Sequence, residues 1–334
     1  MRTLLLGTAL LTLTAVSHAQ SDSSSFFLQK ALEEKGKGRH MESLKQLEKA
    51  YAFNKSNKEV VAELASTYNT LRRYGQARTT YQQLEQLGDR SPATLKQLML
   101  LSFNMRQFDD VVKYAQELKK ADPAEKVAYY IGKAHNETEN YGEAIKFLTV
   151  AAEEDPQNAE VPYLVARAYA DMNNYKQAIP FFQKAVSTDP KQSRWIYEMA
   201  LIYYAMHDDA NALKYMLEAG EKGLKRDNEY LENLGIAYLN TGNFEQGIAI
   251  MKEMLQRRPT DANLLNMLAE AHYDAKKYPE AIEYWDQVFG LDKENAKALY
   301  MIGMAYQKKG EKEKGASICD RAIQMDPSLN QLKQ

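Results

Sequence analysis

Residues Leu231–Pro259 read LENLGIAYLNTGNFEQGIAIMKEMLQRRP. Leu231, Leu234, Gly235 and Tyr238 follow at three- and four-residue steps, which puts them on one side of a first helix. Gly247 and Met251 lie four apart on a second helix, and Pro259 closes the segment. The end of the chain repeats the pattern, as Leu299-x-x-Ile302-Gly303-x-x-Tyr306, then Gly315-x-x-x-Cys319, then Pro327. Working outward, the residue equivalent to Gly247 recurs nine times: Ser43, Ala77, Val111, Ala144, Ala178, Ala212, Gly247, Ala281 and Gly315. Successive gaps are 34, 34, 33, 34, 34, 35, 34 and 34 residues. So steady a period means one supersecondary unit copied in tandem.

The middle copies show the same logic. Ala166 and Tyr169 share a face of a first helix, and Ala178, Phe182 and Ala185 form the apolar stripe of a second. Asn173-Asn174-Tyr175 marks the turn between them. Asp-Pro punctuation ends second helices at Asp122-Pro123, Asp155-Pro156, Asp189-Pro190 and Asp326-Pro327. The pattern of small residues, aromatics and terminal Pro resembles the tetratricopeptide repeat (TPR) family, over about residues 24–329. The resemblance implies an all-α, right-handed α-solenoid of about nine helix–turn–helix repeats. Their bounds are approximately 24–57, 58–91, 92–124, 125–158, 159–192, 193–227, 228–261, 262–295 and 296–329, with a tail of 330–334.

Some copies depart from the pattern. The first lacks the turn aromatic and terminal Pro, and the third carries Met99, Ser102 and Val111 at positions usually smaller or aromatic. The sixth ends in Glu221-Lys222-Gly223-Leu224 without Pro, which predicts an inserted residue or a hinge at that junction. After Pro327 there is no full capping helix, so Ile318, Ile323 and Met325 are expected to be partly exposed.

Residues 1–19 read as a secretory signal peptide. Arg2 supplies the charge, Thr3–Val16 the apolar run, and Ser17-His18-Ala19 a cleavage site before Gln20. Residues 20–23 are then a flexible leader, and the mature chain is expected to be exported, to the periplasm or the extracellular space. The apolar run is too short for an ordinary membrane span, and no span is expected after cleavage. With 43 basic and 45 acidic residues the net charge is −2. Such a balance argues against nucleic acid as a partner. Cys319 is the only cysteine, which rules out an intramolecular disulfide and suits a small buried hydrophobe.

A search for chemistry finds no catalytic constellation. His135 and His272 stand where other copies carry Tyr169, Tyr203, Tyr238 and Tyr306, so they read as packing aromatics; His40 and His207 lie in turns. No H-E-x-x-H, C-x-x-C or phosphate-loop pattern occurs, and no enzyme activity, metal or cofactor is expected.

The first helices carry the candidate site. In the TPR family they line the inner groove, and the resemblance transfers one groove position to Tyr129, Tyr163 and Tyr197, 34 residues apart. Lys133 and Arg167 follow one turn later, and Lys126 and Arg194 stand three residues before Tyr129 and Tyr197, with Glu160 at the equivalent middle site. Lys96, Phe103, Tyr204, Tyr273 and Tyr300 map to further groove positions. Tyrosines flanked by cations favour a protein or peptide partner bearing carboxylates. The same spacing also serves packing between helices, and the sequence does not choose between the two. The carboxylate clamp of chaperone-binding TPR domains is not reproduced, since Leu100 follows Lys96 and Tyr130 replaces the Asn. The expected function is a non-enzymatic scaffold in envelope assembly or secretion; glycan binding by the tyrosines and self-association are the alternatives.

Overall fold

The computed structural model describes residues 23–332. The signal peptide, most of the leader and residues 333–334 of the tail lie outside them. The described residues form α-helices and one terminal 3₁₀ segment, without a strand. The chain divides into two compact units, one ending at Met172 and the other beginning at Asn173.

The first unit contains α1 (23–36), α2 (His40–Phe53), α3 (Lys58–Thr70), α4 (Tyr74–Gln86), α5 (Pro92–Asn104), α6 (Phe108–Ala121), α7 (Ala128–Glu137), α8 (Tyr141–Glu154) and α9 (Glu160–Asp171). The second contains α10 (Tyr175–Thr188), α11 (Ser193–Ala205), α12 (Asp209–Glu221), α13 (Asn228–Asn240), α14 (Phe244–Arg257), α15 (Ala262–Asp274), α16 (Tyr278–Leu291), α17 (Ala296–Lys309) and α18 (Lys312–Met325), then the 3₁₀ segment Pro327–Leu332. Within each unit, successive helices pack on their chain neighbours, which is the architecture of an α-solenoid, and the helices account for about nine helix–turn–helix copies.

The period has a backbone cause. At each turn inside a copy one residue takes a left-handed conformation: Gly38, Arg72, Arg106, Glu139, Asn173, His207, Gly242, Lys276 and Gly310. This closes the first helix; for example, Arg73 N–H donates to the Tyr68 carbonyl at 2.9 Å. A side chain costs about 1–2 kcal/mol in that conformation, and only three of these positions are glycine, so helix packing on both sides holds the turn. Between copies, the aspartates that end second helices accept an N–H two residues on. The distances are 3.0 Å at Asp122, 3.3 Å at Asp155, 3.2 Å at Asp189 and 3.0 Å at Asp326. The following proline has no N–H to leave unpaired.

The helices of a pair meet at their small residues. Ala77, Ala144, Ala212 and Ala281 are completely buried. The closest approach joins α17 to α18, where a Cβ on Gly315 would lie 2.5 Å from the Gly303 carbonyl oxygen. Apolar side chains fill the remaining space. Leu47, Leu64, Leu98 and Leu118 belong to the core of the first unit, and Leu231, Met251, Leu268 and Trp285 to that of the second.

The unusual residues of the third copy, Met99, Ser102 and Val111, are all buried in an ordinary α5/α6 pair. At the sixth-to-seventh junction, Gly223 is left-handed, ending α12 before Asp227 caps α13. The extra residue is thus taken up in a loop, and the division into units falls at Met172/Asn173. At the carboxyl end Leu329 packs with Cys319 and Tyr300. Ile318 and Ile323 are half-buried and Met325 is exposed. Cys319 is buried, and its Sγ–H points at the Tyr300 carbonyl. His135 stacks on Phe147 and His272 on Tyr284, with ring centroids 5.9 and 5.4 Å apart. Burial lowers the His272 pKa and leaves the ring neutral at pH 7.

Gly315→Ala is expected to destabilise the chain by about 1–3 kcal/mol, because the clash is with backbone that cannot swing away. Gly290→Ala, on α16 with nothing within 4 Å of the added atom, should be neutral or gain up to about 1 kcal/mol. Urea midpoints followed by helical circular dichroism separate the two; equal midpoints would remove the close-approach argument.

Candidate partner-binding face

Helical spacing brings Phe103 of α5, Tyr129, Tyr130 and Lys133 of α7, and Glu160 of α9 together in the first unit. Phe103 meets Tyr130 edge to face, with centroids 5.2 Å apart and planes at 90°. Tyr129 and Tyr130 pack at 5.4 Å and 77°. These are the offsets that aromatic quadrupoles prefer. The Lys133 ammonium lies 5.6 Å from the ring centres of both Phe103 and Tyr129.

Glu160 locks the cluster. Its carboxylate accepts from Tyr129 Oη at 2.8 Å and from Lys133 Nζ at 2.6 Å. Lys133 also donates to Tyr129 Oη at 3.2 Å. Burial, reinforced by the neighbouring Glu160 charge, pushes the Tyr129 pKa up to about 12. For Lys133 burial works the other way, yet its hydrogen bonds to Glu160 and Tyr129 prevail and hold its pKa above the ordinary value. All three rings are half-buried, so each offers a fixed edge to solvent.

The other expected site residues fare differently. Lys96 is exposed and donates to the Glu125 carboxylate at 2.8 and 3.0 Å. Lys126 donates to the Glu154 carbonyl at 2.6 Å, and Arg194 to Glu198 at 3.2 Å. Arg167 is exposed, 3.9 Å from Asp171, and Tyr163 is half-buried on the same helix. Lys96, Lys126, Lys133 and Arg194 each therefore have an oxygen partner within the fold.

The tyrosine ladder also separates. Tyr197 is only 1 % exposed; Asn233 donates to its hydroxyl at 2.7 Å and Tyr230 packs on its ring at 5.7 Å. Tyr300 is 2 % exposed, within the cluster around Cys319. Neither presents a groove surface, because each fills space between helices of its own unit. Tyr273 is half-buried against Tyr278 and Trp285, and Tyr204 is half-buried on α11. Two contributors visible in the sequence were not counted there as site residues. Tyr130 is adjacent to the transferred position, and Glu160 stands, with reversed charge, where Lys126 and Arg194 recur.

Among the described residues, no three His, Cys, Asp or Glu side chains gather where they could hold a metal ion. Nor is any described helix long and apolar enough to cross a membrane.

Stacked helix pairs with an aromatic first-helix face define a helical-repeat scaffold. The tetratricopeptide repeat family matches residues 136–196 and 238–284, and a second TPR description matches 266–330. The chain belongs to the TPR family. This fold is generally non-catalytic and mediates protein–protein interaction. Human protein O-mannosyl-transferase TMTC2 is 28 % identical over 101 residues, which is 29 % of this chain and 12 % of that protein. The match spans only a small part of the transferase. Among solved structures, YrrB, described as a TPR protein with an unusual peptide-binding site, is similar over 56 % of this chain and 98 % of its own, at 20 % identity and TM-score 0.46. The C-terminal part of a TPR repeat-containing protein from Cytophaga hutchinsonii covers 82 % of this chain and 99 % of its own, at 15 % identity and TM-score 0.49.

Removing the clamp's charge tests the electrostatics. The neutral phenol of Tyr129 is favoured in the folded state, so its contribution is fully present below pH 10 and lost as pH rises toward about 12. In Glu160→Gln the Tyr129 pKa should fall but stay above 10, since burial is the larger cause. The ¹³Cζ shift of Tyr129 followed against pH reads this directly, and an unchanged titration would show that Glu160 does not act on the phenol.

Proposed function

We propose that this chain is a non-enzymatic scaffold that holds a protein or peptide partner on the face built by α5, α7 and α9. The observation that carries the proposal is the locked aromatic cluster of Phe103, Tyr129 and Tyr130. Half-exposed rings held by Glu160 and Lys133 lose little freedom on binding, so their apolar area converts into affinity efficiently. With the nearby cations neutralised internally, the face suits apolar or aromatic side chains and backbone amides better than a run of acidic residues.

We further infer export, with the periplasm as the working compartment and envelope assembly or secretion as the setting. The charge, apolar run and small residues of 1–19 support this, and a mature chain beginning at Gln20 in the periplasmic fraction is the expected finding. Recovery of the intact amino terminus from the cytoplasm would refute it.

A photoreactive residue at Tyr130 should capture a discrete partner from envelope extract. Phe103→Ala with Tyr175 as the photoreactive position should not. Phe103→Ala combined with Tyr129→Ala should lower affinity for the captured partner at least tenfold with helical circular dichroism intact. Retained affinity would show that the rings serve packing alone.

A further inference from the structure

One gap in the repeat is short, and the helix that follows it, α7, is short as well. Most first helices begin just after a residue whose side chain accepts a first-turn N–H: Asn57, Ser91, Asn158, Asp227, Asp261 and Asn295. Val111 and Ala144 are 33 residues apart, and the place equivalent to these capping residues before α7 falls on Ala124, whose side chain has no acceptor. Accordingly α7 starts only at Ala128, after Val127 without a capping side chain, and is 10 residues long, against 13 for α3, α5, α13 and α15.

A second departure coincides with it. The helix position held by Val61, Leu95, Ile196, Leu231, Leu265 and Leu299, all buried, is held in α7 by Ala128. The lost turn and the lost side chain coincide with a cavity of about 350 Å³ between α6, α7 and α8. Its floor is Val127, Ile131, Phe147 and Val150, the last 44 % exposed. Lys119 and Lys120 of α6 stand at the rim. Lys119 is committed, donating to the Glu125 carbonyl at 2.8 Å and lying 3.7 Å from the carboxylate of Glu154, another rim residue, whereas Lys120 is exposed and forms no ion pair among the described residues.

We propose that this cavity, away from the aromatic face, is a second docking site that takes leucine- or isoleucine-sized side chains of a polypeptide partner, with a partner carboxylate meeting Lys120. The shape argument is internal: six other copies fill the equivalent position with a buried Val, Ile or Leu of their own. The volume, at the lower end of the ~300–1,000 Å³ typical of ligand pockets, accommodates two neighbouring aliphatic side chains. The charge argument is Lys120, which stands exposed at the rim.

The probe is the acetylated, amidated tetrapeptide Asp-Leu-Leu-Asp, titrated into the full chain with methyl NMR of Val127, Ile131 and Val150. Those methyls should shift together, and binding should weaken at least tenfold for Asp-Ala-Ala-Asp and several-fold for Lys-Leu-Leu-Lys or in Lys120→Gln. Ala128→Leu, which supplies the side chain the other copies carry, should abolish the shifts while leaving the melting temperature unchanged or higher. Should that variant misfold, Val150→Asp at the exposed edge provides the same block. Silence of these methyls at millimolar peptide, equal response to all three peptides, or binding that survives both blocks would overturn the proposal. So would decanoate shifting the methyls where the peptide does not, since the occupant would then be an alkyl chain. Phe103→Ala should leave this site unaffected, so its failure and that of the aromatic face are distinguishable.

Discussion

Everything in this fold depends on paired helix backbones approaching so closely that glycine, alanine, serine and once a valine hold the crossing. Gly303 and Gly315 show the limit, where even a Cβ would strike the opposite carbonyl. That contact sets the pairing of helices, and the pairing holds non-glycine residues such as Arg72, Glu139 and Lys276 in left-handed turns. Close packing and turn geometry therefore enforce each other, copy after copy. This is why the small-residue spacing and the left-handed turns share one period.

Surface function is built on this frame by substitution at positions it leaves open. The aromatic cluster on α5 and α7 arises because three rings fall within contact of one another and a carboxylate from α9 fixes two of their polar neighbours. The charges that look available along the chain are mostly spent. Lys96, Lys126, Lys133 and Arg194 each find an oxygen inside the fold, and the last does so on its own helix. Those partners lie one turn or one helix away, and sequence spacing alone does not reveal them.

Small irregularities in the period differ in their effect. The 35-residue step is absorbed by a glycine-containing loop before α13, whose cap is intact. The 33-residue step leaves Ala124 at the capping place before α7, and the helix starts late beside an apolar cavity. Insertion into a loop is tolerated because loops lengthen at little cost. With Ala124 at the capping place, the first-turn N–H groups of α7 have no side-chain acceptor there.

From the sequence by itself came the helical class, the tandem period, the small-residue crossing, and the packing roles of His135, His272 and Cys319, because each is a matter of local spacing and residue size. The location of the candidate site was only half legible. Tyr129 and Tyr197 occupy equivalent positions, yet one is half-exposed beside Glu160 and the other is sealed beneath Tyr230 and Asn233. That difference lies in which residues the neighbouring helices present, and residues far apart in the chain meet only once the helices have packed. Which tyrosine packs and which faces outward was therefore decided by tertiary structure alone.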